Sequence, residues 1–308
     1  MGPIGFVVAM LLASPNPADA VPVERTAAPD PEIIDGRDDG YDRLTVPVTV
    51  GDRGSFHFLV DTGSQRTVLS VELARQMALS PIEKRRIIGI AGADTADIAT
   101  LGALGLGRRT FSGLQVLLFE ARHIGADGIL GIDSLQQQRV LIDFATNRIA
   151  VGDAKSQGGS SGFEIVVTAR RRGGQLVMTD AEIDGIRTDV VIDTGSDTSI
   201  GNRALQRALG QRGTLAQVVL TSVTGQQVNA DVGWAKRIDI GEIGITDAMI
   251  GFTDGPTFAA LDLNRRPALM LGMRELRLFR RVAIDFSRRK VSFDLPREVK
   301  PSPSFTMP

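Results

Sequence analysis

The sequence predicts an all-β protein made of two similar lobes, mainly because one pattern occurs twice along the chain. An apolar, strand-like segment runs into Asp-Thr-Gly-Ser at Phe58–Ser64 and again at Val190–Ser196. Around each copy, alternating apolar residues, Gly-containing turns and one short helical stretch follow in the same order. Many Val, Ile and Leu residues and only 5% aromatic residues suit sheets. Repetition of this length indicates two lobes of one architecture, each with one short helix.

The spacing of the repeated segments supports a duplication. Asp61 and Asp193 are 132 residues apart, whereas Asp143 and Asp285, which end the last matching apolar segments, are 142 apart. The increase places an insertion late in the second half, and Asp254–Pro267 is the best candidate for it.

Composition excludes several functional classes. The net charge of −1 gives no field that would favour nucleic acid or an anionic membrane. The chain has no Cys, which excludes disulfides, thiol catalysis and Cys-based metal sites. Two His are too few for a His-rich metal site. We therefore expect no metal and no cofactor.

The two Asp-Thr-Gly-Ser loops are the candidate chemistry. Each carboxylate stands where a strand ends and turns, and the Gly lets the chain bend and another segment approach closely. Two such loops in one chain suggest that Asp61 and Asp193 face each other. Paired carboxylates of this kind can act as an acid and a base on a water molecule.

These loops resemble the active-site loops of aspartic peptidases, the pepsin and retroviral-protease superfamily. A second signature of that family, two apolar residues and Gly, also occurs twice, at Ile129–Gly131 and Met270–Gly272. The resemblance covers Leu44–Pro296. It implies a single-chain peptidase of the retroviral type, in which Asp61 and Asp193 are the catalytic pair and a peptide or protein is the substrate.

The resemblance also implies roles for the loop residues. The hydroxyls of Thr62 and Thr194 would tie the two loops together, and Ser64 and Ser196 would place a hydroxyl near each carboxylate, lowering a pKa and putting the pH optimum on the acidic side of neutral. The loop glycines are Gly63 and Gly195. Gly131 and Gly272 would let a segment pass close behind each loop.

Both halves have small residues where the family has a flap over the substrate. In the first half these are Gly89, Ile90, Ala91 and Gly92; in the second they are Val223, Thr224 and Gly225. Flexible segments suit a lid, although an ordinary surface hairpin fits the same pattern. Pepsin-like enzymes have a Tyr on a single flap, whereas the only Tyr here is Tyr41, so two equivalent flaps are expected.

Each half is expected to end in a hairpin. The strands of the first are Val140–Phe144 and Arg148–Val151, and those of the second lie in 281–286 and 290–293. Between the halves, a strand is predicted in 163–168 and a turn in 170–174.

The predicted organisation is a signal peptide (1–20), a flexible tail or pro-segment (21–43), lobes at 44–152 and 175–296 joined by a linker (153–174), and a tail (297–308). The apolar run Ile4–Ala13 and the small residues up to Ala20 favour a cleaved secretion signal, although Met1–Pro3 has no basic residue. An N-terminal strand is the alternative. We expect a secreted or periplasmic protein without stable membrane insertion after cleavage.

Three other interpretations stay open. The chain could be a peptide-binding module that keeps the fold without catalysis, or a homodimer in which Asp61 of one chain faces Asp61 of another. It could also be a structural β protein. Two complete loops in one chain favour a monomeric enzyme, with no nucleic-acid partner.

Overall fold

A computed structural model describes residues 5–8, 11–13, 23–24, 32–38, 43–135, 138–153, 163–211 and 216–296. These residues form 25 strands and six short helices, which confirms the predicted all-β, two-lobed fold. The helices predicted in each half are α1 and α4 below, and each half has two further helices. Within the described ranges, no helix has the length and apolar character needed to cross a membrane. The predicted C-terminal tail lies outside the described residues.

The elements up to the end of the first half are β1 (Gly5–Val8), β2 (Leu11–Ala13), β3 (Val23–Glu24), β4 (Glu32–Asp35), β5 (Arg37–Asp38), β6 (Leu44–Val50), β7 (Arg53–Val60), β8 (Val68–Ser70), α1 (Val71–Gln76), β9 (Pro81–Gly89), β10 (Gly92–Leu106), β11 (Arg109–Phe119), α2 (Ala121–Ile124), β12 (Gly128–Leu130), α3 (Ile132–Leu135), β13 (Gln138–Asp143) and β14 (Arg148–Asp153).

The second half contains β15 (Ile165–Thr168), β16 (Arg170–Arg172), β17 (Gln175–Ile183), β18 (Ile186–Ile192), β19 (Ser199–Gly201), α4 (Arg203–Ala208), β20 (Gln217–Ser222), β21 (Gln227–Ile240), β22 (Ile243–Phe252), α5 (Pro256–Ala260), β23 (Ala268–Leu271), α6 (Met273–Leu276), β24 (Arg281–Asp285) and β25 (Lys290–Asp294).

Each half folds around one sheet of the same topology. The first has the order β2-β9-β10-β11-β8-β12-β7-β6-β5, and the second has β1-β20-β21-β22-β19-β23-β18-β17-β16. In both, the strand that leads to the Asp-Thr-Gly loop lies parallel to the strand that leads to the apolar-apolar-Gly signature: β7 beside β12, and β18 beside β23. This pairing brings the two motifs of each half together, although they are distant in sequence.

The hairpins that end the two halves also pair with each other. β13 pairs antiparallel with β24, so the two hairpins form the centre of a third sheet of order β15-β25-β24-β13-β14-β4. The strand predicted in 163–168 is confirmed as β15, which lies at the edge of this sheet and pairs with β25. Three strands of the second half and three of the first meet in this sheet at the β13–β24 pair, so backbone hydrogen bonds join the lobes there.

Two regions differ from the prediction. The segment predicted as a flexible tail contains β4 and β5, which pair with β14 and β6. The predicted turn at 170–174 begins with a strand, β16, which pairs with β17. Arg170 and Arg171 are exposed there. An edge strand accepts charged residues whose side chains reach water, so three arginines do not prevent pairing.

The halves also share their apolar cores. Ile90 of the first half is 1% exposed and belongs to a cluster of mainly second-half residues that includes Leu220 and Phe258. Val223 of the second half is fully buried among first-half residues that include Leu117 and Ile124. Each flap position is therefore buried in the opposite half.

The two signature glycines generate a prediction on stability. A Cβ at Gly272 would overlap the backbone carbonyl of Thr198, and one at Gly131 would overlap the backbone of Arg66. Backbone cannot move aside as a flexible side chain can, so Gly131→Ala and Gly272→Ala should each lower the free energy of unfolding by about 1–3 kcal/mol.

Gly102 in β10 is the matched control, because a Cβ there would meet no atom within 4 Å. Gly102→Ala should leave stability unchanged or raise it by up to about 1 kcal/mol. Denaturant unfolding of the three variants measures the difference. Equal effects at all three positions would contradict the close approach behind the loops.

Candidate active site

Asp61 and Asp193 follow directly after β7 and β18, and neither has any exposed surface. A Cβ on Gly63 would lie 2.5 Å from Asp193 Oδ1 and 3.1 Å from Asp61 Oδ1. One on Gly195 would overlap the carboxylate of Asp61. Each loop glycine thus packs against the carboxylate of the other half. The two loops therefore approach each other closely, and this packing requires a residue without a side chain at both positions.

The two oxygens of each carboxylate have different surroundings. Asp61 Oδ1 accepts hydrogen bonds from the backbone N–H groups of Gly63 (2.7 Å) and Ser64 (2.9 Å). Asp193 Oδ1 accepts one from the N–H of Gly195 (3.1 Å). Among the described residues, Oδ2 of neither aspartate has a hydrogen-bond partner. Buried acceptors are costly to leave unpaired, so these two oxygens are suited to a water or a substrate group.

The serine hydroxyls are not placed as expected from the sequence. Ser64 Oγ donates to the carbonyl of Arg66 (2.8 Å), and Ser196 Oγ donates to the carbonyl of Thr198 (2.7 Å). The expectation that these hydroxyls lower an aspartate pKa is therefore corrected: the serine hydroxyls stabilise the turns, and backbone N–H groups bind the carboxylates.

The threonine side chains connect the two loops. Thr194 Oγ1 accepts from the N–H of Thr62 (3.0 Å) and donates to the carbonyl of Val60 (2.6 Å). Thr62 Oγ1 accepts from the N–H of Thr194 (3.3 Å) and donates to the carbonyl of Ile192 (2.9 Å). All four bonds cross between the halves and are buried, so they set the position of one carboxylate relative to the other.

Two residues near the site, Arg43 and Gln175, were not identified by the sequence analysis. Both are buried, and each stands 18 residues before the aspartate of its own half, Asp61 or Asp193. Gln175 Nε2 donates to the carbonyl of Gly63 in the opposite loop (2.6 Å), whereas Arg43 donates to the carbonyl of Ile124 (2.8 Å). Their equal distance from the two aspartates could have identified them, but an Arg and a Gln do not look like a repeated motif.

Each loop is also supported from behind by an acid that the sequence analysis missed. Asp133 of α3 accepts from the N–H (3.0 Å) and the hydroxyl (2.7 Å) of Thr67. Glu275 of α6 accepts from the hydroxyl of Ser199, which is the residue of the second half equivalent to Thr67. Burial raises the pKa of both acids, against the hydrogen bonds that lower it. Asp133 thus connects α3 to the residue before β8, and Glu275 connects α6 to β19.

The electrostatics of the aspartate pair favour a shared proton. Burial, and then the charge of Asp193, raise the pKa of Asp61 well above its ordinary value. Burial raises the pKa of Asp193 to about 7. The loop N–H groups and the charge of Arg43 oppose both shifts. Two neighbouring carboxylates cannot both ionise cheaply, so the pair holds one proton between them over a wide pH range. The two protons are lost in steps that belong to the pair rather than to either residue.

The predicted flap residues lie at the ends of two hairpins that meet. The first flap hairpin is β9–β10 with Ile90 and Ala91 at its turn, and the second is β20–β21 with residues 223–226 at its turn. Gln226 Nε2 donates to the carbonyl of Ala93 (3.3 Å), which joins the two tips. Gly255, at the start of α5, packs against Ile90.

The other tip makes the corresponding contact. Gly225 has φ +82° and packs against the imidazole of His123 in α2. α2 and α5 occupy equivalent places, because each follows the last long strand of its sheet and precedes the signature strand. The predicted insertion at 254–267 lengthens the second of these segments. Both flap tips are thus in contact with the opposite half.

The threonine bonds generate a prediction. Thr62→Val and Thr194→Val keep the side-chain shape but leave a buried N–H and a carbonyl without partners, so each should lower the free energy of unfolding by about 1–3 kcal/mol. Since both changes break the same network, the double variant should lose less than the sum.

Thr198→Val is the control, because Thr198 is buried and its hydroxyl has no partner among the described residues. Its stability should be unchanged or increased. A Thr62→Val variant as stable as Thr198→Val in denaturant unfolding would show that the cross-bonds contribute nothing.

The raised pKa values generate a prediction on pH. A buried carboxyl whose pKa is raised binds more protons folded than unfolded, so its contribution to stability is present at low pH and is lost as pH rises. Asp61→Asn leaves Asp193, whose pKa is raised to about 7, so the stability of this variant should fall between about pH 4 and about pH 7. The Asp61→Asn/Asp193→Asn variant should lose this dependence. Parallel stability curves from pH 4 to 7 would contradict the shift.

Comparison with known proteins agrees with this arrangement. The sequence model of the family described as aspartyl protease matches residues 46–134 and 179–274, which together are more than half of the chain. Each match contains one Asp-Thr-Gly-Ser loop and one apolar-apolar-Gly signature. No curated protein matches the chain by sequence. Two successive matches, one in each lobe, account for the internal repeat, and the chain belongs to the aspartyl protease family.

Proposed function

We propose that the protein is an aspartic endopeptidase in which Asp61 and Asp193 activate one water molecule between them. The observation that carries this proposal is the pair of Oδ2 atoms: buried, one from each half, and without a partner among the described residues. Oxygens in this position can accept hydrogen bonds from a water and donate a proton to a carbonyl. The substrate is a peptide or protein in extended form.

The shared proton supplies both catalytic functions. The ionised carboxylate accepts a proton from the water as the water attacks the peptide carbonyl, and the protonated carboxyl donates to the carbonyl oxygen. The resulting tetrahedral intermediate breaks down when a proton reaches the leaving nitrogen. Sharing of one proton between two aspartates is the established behaviour of aspartic proteases. The raised pKa of both aspartates in this chain supports a pair that retains at least one proton near neutral pH.

The loops and flaps have supporting roles in this proposal. The N–H groups on each Oδ1 orient the carboxylates and leave each Oδ2 without a partner among the described residues. The threonine cross-bonds fix their separation. The two flap hairpins cover the substrate and exclude bulk water, which strengthens the electrostatic interactions inside the site. Movement of both flaps on peptide binding remains a prediction.

Replacement of either aspartate tests the proposal. Asp61→Asn and Asp193→Asn should each lower kcat by on the order of 10³-fold or more, because one carboxyl alone cannot act as both acid and base. The double variant should be little worse than either single variant, since the residues act as one unit. Hydrolysis of a mixed peptide library, followed by mass spectrometry, measures the turnover.

Asp180→Asn is the matched control, because Asp180 lies on the exposed side of the strand pair that leads to Asp193 and forms a surface ion pair with Arg187. Its activity should equal that of the native chain. Substantial activity in Asp193→Asn would overturn the proposal. Peptide binding without hydrolysis by the native chain would instead identify a binding module.

A further inference from the structure

The segment that precedes the first lobe pairs with both flap hairpins. β1 runs parallel to β20 of the second flap hairpin, with Val8 opposite Ser222 at its end. β2 runs antiparallel to β9 of the first flap hairpin, with Leu11 opposite Gly89 at its start. The two strands are separated by two residues that lie outside the described ranges. One short stretch of the chain thus adds a strand to the edges of two different sheets.

The register of this pairing is symmetric about the axis that relates the halves. Gly89 and Ser222 are equivalent, since each is the last residue of the first flap strand and they differ by 133 positions, as Gly92 and Gly225 do. Their partners are Leu11 and Val8. The pairing is therefore centred midway between Val8 and Leu11.

The strand directions agree with this centre. A chain that crosses a twofold axis between two equivalent strands must run parallel to one and antiparallel to the other. β1 is parallel and β2 is antiparallel to their flap strands. The aspartates, which follow the equivalent strands β7 and β18, are related by the same pseudo-twofold axis. A peptide presented symmetrically to the pair would follow this path.

The strands β1 and β2 are surrounded by elements of both halves. β2 also lies against α5 of the second half, so it is placed between the first flap hairpin and the opposite lobe. Ile90 and Val223, at the flap tips, are buried in the opposite halves. Asp61 and Asp193 have no exposed surface. Addition of a strand to an exposed sheet edge is a general mode of peptide recognition, in which main-chain hydrogen bonds supply affinity.

We propose that residues 5–8 and 11–13 are an intramolecular occupant of the active-site cleft, which binds across both flaps along the substrate path and excludes external peptide. The proposal rests on the proposed function for the identity of the cleft. Because the segment is tethered, its effective concentration at the cleft is on the order of millimolar. The same residues carry the predicted secretion signal, so removal of that signal would also open the cleft.

The first experiment measures occupancy without catalysis. The full chain with Asp193→Asn, made without export and verified by intact mass to retain its N-terminus, is compared with a variant that also carries Phe6→Pro, Val7→Pro, Leu11→Pro and Leu12→Pro. Proline lacks the backbone N–H donor. Successive residues of a strand point their N–H groups in opposite directions, so two adjacent prolines remove at least one N–H that faces the flap strand. Hydrogen exchange in β9 and β20 should become about tenfold faster in the proline variant.

Val23→Pro/Glu24→Pro in the same background is the matched control, because β3 belongs to the same N-terminal region but pairs with β11, away from the flap tips. It should leave exchange in β9 and β20 unchanged. Equal exchange in all three chains, or equal acceleration by both sets of prolines, would overturn the proposal.

The second experiment measures exclusion of peptide in the chain that retains both aspartates. The intact full chain should hydrolyse an external peptide at least about tenfold more slowly than the proline variant at positions 6, 7, 11 and 12, with the difference in KM rather than kcat. Equal rates would overturn occlusion while leaving the peptidase intact. Absence of hydrolysis in both chains would refute the proposed function, and the exchange experiment would still decide occupancy.

Discussion

Two carboxylates buried side by side need a proton between them and a fixed separation, and most of the structure around Asp61 and Asp193 meets these two needs. Burial alone would neutralise both groups, because it raises both pKa values. The loop N–H groups and the charge of Arg43 act in the opposite direction. Both pKa values nevertheless stay raised. Because the pair loses its second proton less readily than its first, it holds one proton between the two ionisation steps, which is the state that acid-base chemistry on water requires.

The fixed separation depends on contacts that cross between the halves. Thr62 and Thr194 exchange hydrogen bonds at the centre, the third sheet joins the closing hairpins behind them, and the flap tips join above them. The two halves differ in their contribution to these contacts. Gln175 donates to the opposite loop, for example, whereas Arg43 at the equivalent position supplies a charge.

The sequence predicted the elements that recur and missed those that depend on one half meeting the other. Doubled motifs located both loops, both signatures and both flap turns, because each follows from local turn chemistry. The six-stranded sheet was not predictable, since nothing local in β13 or β24 indicates that they pair with each other rather than within their own halves. The role of the serine hydroxyls was wrong for a related reason: a backbone N–H, which is present in every residue, performs the role assigned to the side chain. The domain boundaries and the secretion signal stay predictions.

The central claim is that one chain supplies both aspartates of one site. Mixing the Asp61→Asn and Asp193→Asn chains tests it directly, because a site formed within each chain has one aspartate in either variant. The mixture should hydrolyse peptide no faster than the separate variants at any chain concentration. Activity that appears on mixing, or that rises with the square of the concentration of Asp193→Asn alone, would show that aspartates from two chains meet, and would contradict the single-chain pair.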